Sequence, residues 1–239
     1  MKAVGRRAFI VGLGQMGGSL AHDLAALGWE VSGYDRDPEC INAARDAGVI
    51  HAIGASAVAA PAGAALIVLA VPARQVLELL PDLAQAVPRD VAVIDLAGTQ
   101  GAILDRVAQL GAPAGYISAH PMAGGEQGGF SAALPGIYRG ATFVLTPAPT
   151  ARSAHIAAAE DLVQSVGARS LRLDAAEHDA AIALTSQLPH ALAAALTRLA
   201  GRRRNDLPVD PLIAGSFRSA TRVAARRPAV TLDMFLTNR

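Results

Sequence analysis

The sequence predicts an α/β protein: a doubly wound parallel sheet over residues 1–174, followed by a smaller all-helical domain over 175–239. Three observations predict it. Short apolar runs alternate with helical patterns through residues 8–173, the arrangement that right-handed crossovers build into a parallel sheet. A glycine-rich turn joins the first strand to the first helix. After Asp174 the texture changes to long helical patterns with no convincing strand.

The elements follow in order. Residues 8–11 read as a buried strand, and 17–27 as a helix ended by Gly28. Strand 30–34 leads to helix 38–47, stopped by Gly48. Strand 65–71 ends at Pro72, and helix 75–86 follows. Strand 91–96 and helix 102–110 make the next pair. Strand 141–146, ended by Pro147, helix 151–166 and strand 170–173 complete the sheet. In the second part, 177–200 is one long helical pattern interrupted by Pro189, and 208–225 is another. Arg202, Arg203 and Arg204 between them read as a solvated loop. So small a helical unit is marginal alone, so docking or dimerisation is expected to complete its core.

Composition bounds the function. The chain has 239 residues, 52% apolar, enough to bury a core. Net charge is +1 with 17% charged residues, so no overall field favours nucleic acid or a membrane surface. The single cysteine, Cys40, excludes an internal disulfide and a cysteine-based zinc site. Residues 1–7 are basic, but the run that follows is strand-sized and Gly-rich, so no signal peptide is expected. No apolar stretch is expected to reach the ~20 residues of a membrane span. A cytoplasmic soluble protein is the expectation.

Gly12-Leu13-Gly14-Gln15-Met16-Gly17 stands between strand and helix as G-x-G-x-x-G in its required context, the mark of a Rossmann-type domain. The first glycine makes the tight turn, the second lets the backbone approach a pyrophosphate, and the third permits close helix–strand packing. Asp35, at the end of the second strand, is placed to accept hydrogen bonds from ribose hydroxyls. Gly12, Gly14, Gln15, Met16, Gly17, Asp35 and Arg36 are therefore the expected cofactor-binding residues. Arg36 suits the 2′-phosphate of NADP, but Asp35 repels it, so NAD is favoured.

Residues 118–129 hold the other informative stretch. His120 is locked by Pro121 and followed by Gly124, Gly125, Gly128 and Gly129. Proline restricts the residue before it, and glycines let backbone approach a ligand. Such a turn holds an imidazole still in front of a small molecule. Four later segments combine with it: 178–179, 186–190, 217–222 and 233–238.

In this order, with His-Pro-Met-Ala-Gly at 120–124 and Thr-Arg-Val-Ala at 221–224, the chain resembles the prephenate/arogenate dehydrogenase family of tyrosine biosynthesis. The resemblance implies oxidative decarboxylation of a cyclohexadienol, with hydride passing to a nicotinamide and the ring carboxylate lost as carbon dioxide. It places the catalytic histidine on His120 and the substrate-binding arginine on Arg222. It puts His190 and Glu126 in the same pocket, with Thr99 adjacent. It also implies a homodimer through the C-terminal helical domain. Glu126 pointing inward would favour the amino group of arogenate. Other histidines read as structural: His178-Asp179 as an N-terminal helix feature, and His22, His51 and His155 as surface residues.

The chain departs from the family pattern at several positions. The usual serine after the fourth strand is Gly98 and the usual lysine is Gln100. The first histidine of the pocket helix is Gln187, an acidic residue before the arginine is Ser219, and a late tryptophan is Thr231. These changes keep open a modified prephenate, such as an amino-substituted one, and a non-catalytic NAD-binding regulator. The absence of lysine from the second domain argues strongly against a β-hydroxy acid dehydrogenase, which usually needs one there; Lys2 is the only lysine here.

Overall fold

The structure, a computed structural model, describes residues 6–125, 127–225 and 228–238. Strands β1 (Arg7–Val11), β2 (Glu30–Tyr34), β3 (Ala52–Ile53), β4 (Leu66–Leu69), β5 (Ala92–Asp95), β6 (Tyr116–Pro121), β7 (Thr142–Pro147) and β8 (Arg169–Arg172) form one sheet. Their order is β3-β2-β1-β4-β5-β6-β7-β8. The apolar run ending at His120 is thus a strand in its own right. The order reverses direction between β1 and β4, which is the switch point where such sheets bind ligands.

Side chains alternate across the strands, and each face is covered by helices. Ile10, Val68, Ile94 and Ile117 face α1 (Gln15–Ala26), α2 (Pro38–Asp46) and α5 (Ser153–Ser165), where Leu20, Leu24, Ala44 and Leu162 meet them. Phe9, Ile67, Leu69 and Val93 face α3 (Ala73–Ala86) and α4 (Gly101–Leu110), packing on Val76, Leu80, Leu83 and Ile103. Burying each such side chain stabilises the fold by roughly 1.5–3 kcal/mol. The doubly wound class is therefore correct.

The expectation of an all-parallel sheet needs one correction. β6 and β7 pair antiparallel, with His120 opposite Val144 and Ile117 opposite Pro147. Among the described residues no crossover helix lies between them. Residues 122–125 and 127–141 instead form a glycine-rich connection with a short 3₁₀ turn at Phe130–Ala132, and the chain returns directly. This loop folds back onto α1: Leu134 N donates to Ser19 Oγ (2.9 Å), and the Tyr138 hydroxyl donates to the Met16 carbonyl (2.7 Å). His155, expected at the surface, is buried, and its Nδ1 accepts from Arg152 N at the start of α5.

The C-terminal part is helical. α6 (Ala175–Ile182) is capped by Asp174, whose carboxylate accepts from Glu177 N (2.8 Å). A π turn at Ala183–Gln187 leads into α7 (Leu188–Arg202). Pro189 lacks an N–H and crowds the carbonyl four residues back, so the ladder widens there and the helix continues. Within the 28-residue helical run Ala175–Arg202, an 18-residue window reaches a mean hydropathy of 1.2, long and apolar enough by length and composition to cross a membrane. That corrects the expectation that no stretch reaches this size. α8 (Gly215–Thr221) and a 3₁₀ turn at Arg222–Ala225 pack on α7.

α9 (Pro228–Thr237), which the sequence shows only as a closing segment, returns to the sheet domain. Its Asp233 accepts from Arg74 N (3.2 Å) at the start of α3. Asn238 Nδ2, just beyond, donates to the Asp179 carbonyl (2.9 Å) and to Gln187 Oε1 (3.1 Å).

Candidate active site

Parallel strands share a direction, so β1, β4 and β5 present their C-terminal ends along one edge, and β6 brings His120 to the same edge. A cleft of about 300 Å³ opens there. The glycine turn and its helix start (Gly14, Gln15, Met16), the β5 end (Gly98, Thr99), His120 and the α9 residues Asp233 and Met234 line it.

Each glycine of the turn meets a specific constraint. Gly12 has φ +91°, and an added Cβ would lie 2.5 Å from the Ala70 carbonyl oxygen at the end of β4. A Cβ on Gly17 would run into the Gly12 carbonyl oxygen. At Gly14 the nearest atom to an added Cβ is Gly129 N, 3.9 Å away, so the second glycine faces open space between turn and loop. Gly14 is the N-cap of α1 and supplies no side-chain cap. The helix N-terminus thus presents backbone N–H groups to that space, which suits a phosphate. Gln15 reaches across the cleft, its Oε1 accepting from Gly125 N (2.8 Å). Asp35 Oδ2 accepts from Leu13 N (2.6 Å) and Oδ1 from Asp37 N (2.9 Å), which fixes the carboxylate beside the turn. Arg36 is exposed next to it.

His120 is half-buried. Its Nδ1 lies 2.9 Å from His178 Nε2, and the two rings meet edge-on at 80°. His178 Nδ1 lies 2.8 Å from Asp179 Oδ1. Asp179 also accepts from Gln100 N (2.9 Å) and Gly101 N (2.8 Å) at the start of α4. His178 and Asp179 are both buried. The reading of this pair as only a helix-start feature is overturned: Asp174 caps α6, and the pair points at His120. No periodicity or motif signals this, because the contact spans 58 residues of sequence. The His120 Nε2 edge faces Gly98, 3.7 Å from where a Cβ would stand.

The other expected site residues fall differently. Thr99 lines the cleft, but its hydroxyl lies 2.7 Å from Thr237 Oγ1. Thr237 donates to the Asp233 carbonyl, so Thr99 is the donor in their pair and offers the cleft only lone pairs. His190 is buried, with Nδ1 donating to the Ser186 carbonyl (2.8 Å). Arg222 is exposed on its 3₁₀ turn. Neither His190 nor Arg222 is among the described residues lining the cleft. Glu126 lies outside the described residues. Gln100, at the family's lysine position, is buried and committed to the Val144 carbonyl and Thr146. Gln187 donates to the Met234 carbonyl (3.3 Å).

Asp95 is fully buried at the end of β5. Burial pushes its carboxyl up from 3.8 to about 6, against hydrogen bonds from Ser118 Oγ and Ala97 N. The folded state therefore binds this proton more tightly than the unfolded chain. Its contribution is favourable at low pH and is lost as pH rises through about 6. Ionised Asp95 costs on the order of 3 kcal/mol. Asp95→Asn is expected to be more stable than the parent near pH ~8 and equal to it near pH ~4 in urea unfolding. An equal difference at both pH values would show that Asp95 does not titrate with folding.

A glycine turn at the switch point of a doubly wound sheet, with a carboxylate fixed at the second strand's end, defines a dinucleotide-binding protein. Comparison with known proteins makes the class particular. The family model described as "Prephenate dehydrogenase, nucleotide-binding domain" matches residues 20–172, and "Prephenate dehydrogenase, dimerization domain" matches 174–239. The chain belongs to the prephenate dehydrogenase family. It is 30% identical over 236 residues to the prephenate dehydrogenase of Bacillus subtilis, covering 96% of this chain and 63% of that protein. It is 30% identical over 233 residues to the cyclohexadienyl dehydrogenase of Zymomonas mobilis, covering 96% of this chain and 80% of that protein. A crystal structure of prephenate dehydrogenase from A. aeolicus, in complex with hydroxyphenyl propionate and NAD+, superposes with a TM-score of 0.90 at 27% identity. That match covers 100% of this chain and 84% of the other. The first family match begins after the glycine turn, so the turn's role rests on its own geometry.

Proposed function

We propose that the protein is an NAD-dependent dehydrogenase of prephenate, arogenate or both, with His120 as its base. The observation that carries this reading is the placement of His120 in one cleft with the glycine turn. The relatives' names and the A. aeolicus complex with NAD+ support it.

The turn suits NAD: open space at Gly14, the α1 N-terminus for the pyrophosphate, and the Asp35 carboxylate for the ribose. The negative Asp35 disfavours a 2′-phosphate, which supports NAD over NADP even with Arg36 beside it. NAD held at this turn would supply the hydride acceptor for the ring carbon that carries the hydroxyl. His120 holds that hydroxyl and takes its proton as the carbonyl forms. The ring carboxylate then leaves as carbon dioxide, its bonding pair completes the aromatic ring, and the proton returns from His120 to the phenolic oxygen. Imidazole suits both transfers near neutral pH: the neutral ring accepts the proton, and the imidazolium so formed returns it.

Arg222 is our proposed grip for a substrate carboxylate through paired N–H groups, with His190 nearby and Glu126 as the reader of an amino group. For these three the support is the family resemblance. A homodimer through the helical domain is our reading of the second family match. Leu184, Leu188, Leu192 and Leu199 support it, recurring at helical spacing and standing about half to two-thirds exposed.

The test is NADH formation by the purified chain with NAD, offering prephenate and arogenate separately, and with NADP in parallel. Turnover of either with NAD supports the reading. Intact NAD binding with neither substrate turned over would move the substrate to a modified prephenate, because Gly98 and Gln187 replace the family's polar groups.

A further inference from the structure

We propose that His178 and Asp179 form a hydrogen-bonded relay that fixes the tautomer of His120, so that its Nε2 faces the substrate as the proton acceptor. The proposal rests on the reading of His120 as the base and adds two positioning residues to it.

The argument runs from one end of the chain of bonds to the other. Asp179 accepts from three N–H groups: Gln100 N, Gly101 N and His178 Nδ1. Burial pushes its carboxyl up, but the hydrogen bonds from His178, Gly101 and Gln100 outweigh this and hold it below the usual carboxylate range. An ionised carboxylate only accepts, so His178 Nδ1 carries a hydrogen. In a neutral ring His178 Nε2 is then an acceptor. It lies 2.9 Å from His120 Nδ1, which must donate. In neutral His120 the lone pair is therefore on Nε2, the nitrogen that faces Gly98 across the cleft.

The relay acts in the reaction as well as before it. When His120 takes the hydroxyl proton on Nε2, it becomes imidazolium and keeps its Nδ1 hydrogen bond. The new positive charge is then stabilised through His178 by the Asp179 carboxylate, in surroundings that screen poorly. The start of α4 holds that carboxylate in place, since an anion is favoured at a helix N-terminus. Helix capping gives no competing account of His178, because Asp174 already performs it.

The first test needs no variant of the relay. In the 15N-labelled full-length chain, two-bond 1H–15N spectra above neutral pH should show both rings protonated on Nδ1. A proton on Nε2 of His120 would overturn the proposal. The second test is kinetic. His178→Leu should lower kcat on the order of 10- to 100-fold with KM little changed. His178→Gln, which restores an acceptor toward His120, should recover part of the loss. Wild-type kcat in His178→Leu, or equal rates in the two variants, would also overturn it. If His178→Leu does not fold, the spectra and the His178→Gln rate decide. If the parent chain turns over neither substrate, the functional reading fails while the spectra still decide the relay.

Discussion

His120→Asn is expected to lower kcat by about 10²–10⁴-fold while NAD affinity and folding stay as they are. Asparagine keeps a polar group of similar length at the end of β6, but a carboxamide does not take a proton near neutral pH. His120 is half-buried at a strand end, so its replacement opens no large cavity. The cofactor turn is built from β1, α1 and the end of β4, none of which the change touches. Initial rates of NADH formation, an NAD titration and an unfolding curve read the three quantities separately. Unchanged turnover would remove His120 from the catalytic role, and lost NAD binding would make it a structural residue of the loop.

Gly12→Ala is expected to have the second large effect, on both stability and cofactor binding. The backbone at Gly12 sits at φ +91°, a region that costs an L-residue roughly 1–2 kcal/mol. The new methyl would also lie 2.5 Å from the Ala70 carbonyl oxygen and 2.8 Å from Val71 Cγ1. The first of these is backbone at the end of a central strand, so the turn itself must move, at about 1–3 kcal/mol for overpacking. Gly14→Ala separates the two effects. Its methyl has no atom nearer than 3.9 Å, so the fold should hold while NAD affinity falls, because the methyl occupies the space a pyrophosphate needs. Urea unfolding with an NAD titration checks both. Stable, fully binding Gly12→Ala protein would show that the turn is not the cofactor cradle.

Much of the fold was legible in the sequence, for local reasons. Alternation of apolar runs with helical patterns reports which backbone ladder a segment forms, and Gly28, Gly48, Pro72 and Pro147 mark where segments stop. The strand at β6 was hidden because its end is also the start of the glycine-rich loop, and the two-residue β3 is too short to carry a period. The antiparallel return from β6 to β7 has no local signature, since it depends on the absence of a crossover helix between them. α9 looks like an ordinary tail until its Asp233 and Thr237, and Asn238 just beyond it, are seen docked on α3, Thr99 and Asp179.

The site divides in the same way. The glycine turn, Asp35 and His120 announce themselves because each sits in a short motif whose chemistry requires that spacing. What the sequence by itself determined is the class of fold, and it marked the glycine turn and the histidine at 120 that we propose as cofactor cradle and base, since these follow from backbone preferences over a few consecutive residues. Only the tertiary structure decided what stands behind that histidine. His178 and Asp179 read as a helix start in sequence, and they meet His120 and the amides at the start of α4 only because α6 packs against α4 beside the end of β6. Partners from distant segments are chosen by packing and by the need to satisfy buried polar groups, which no local pattern encodes.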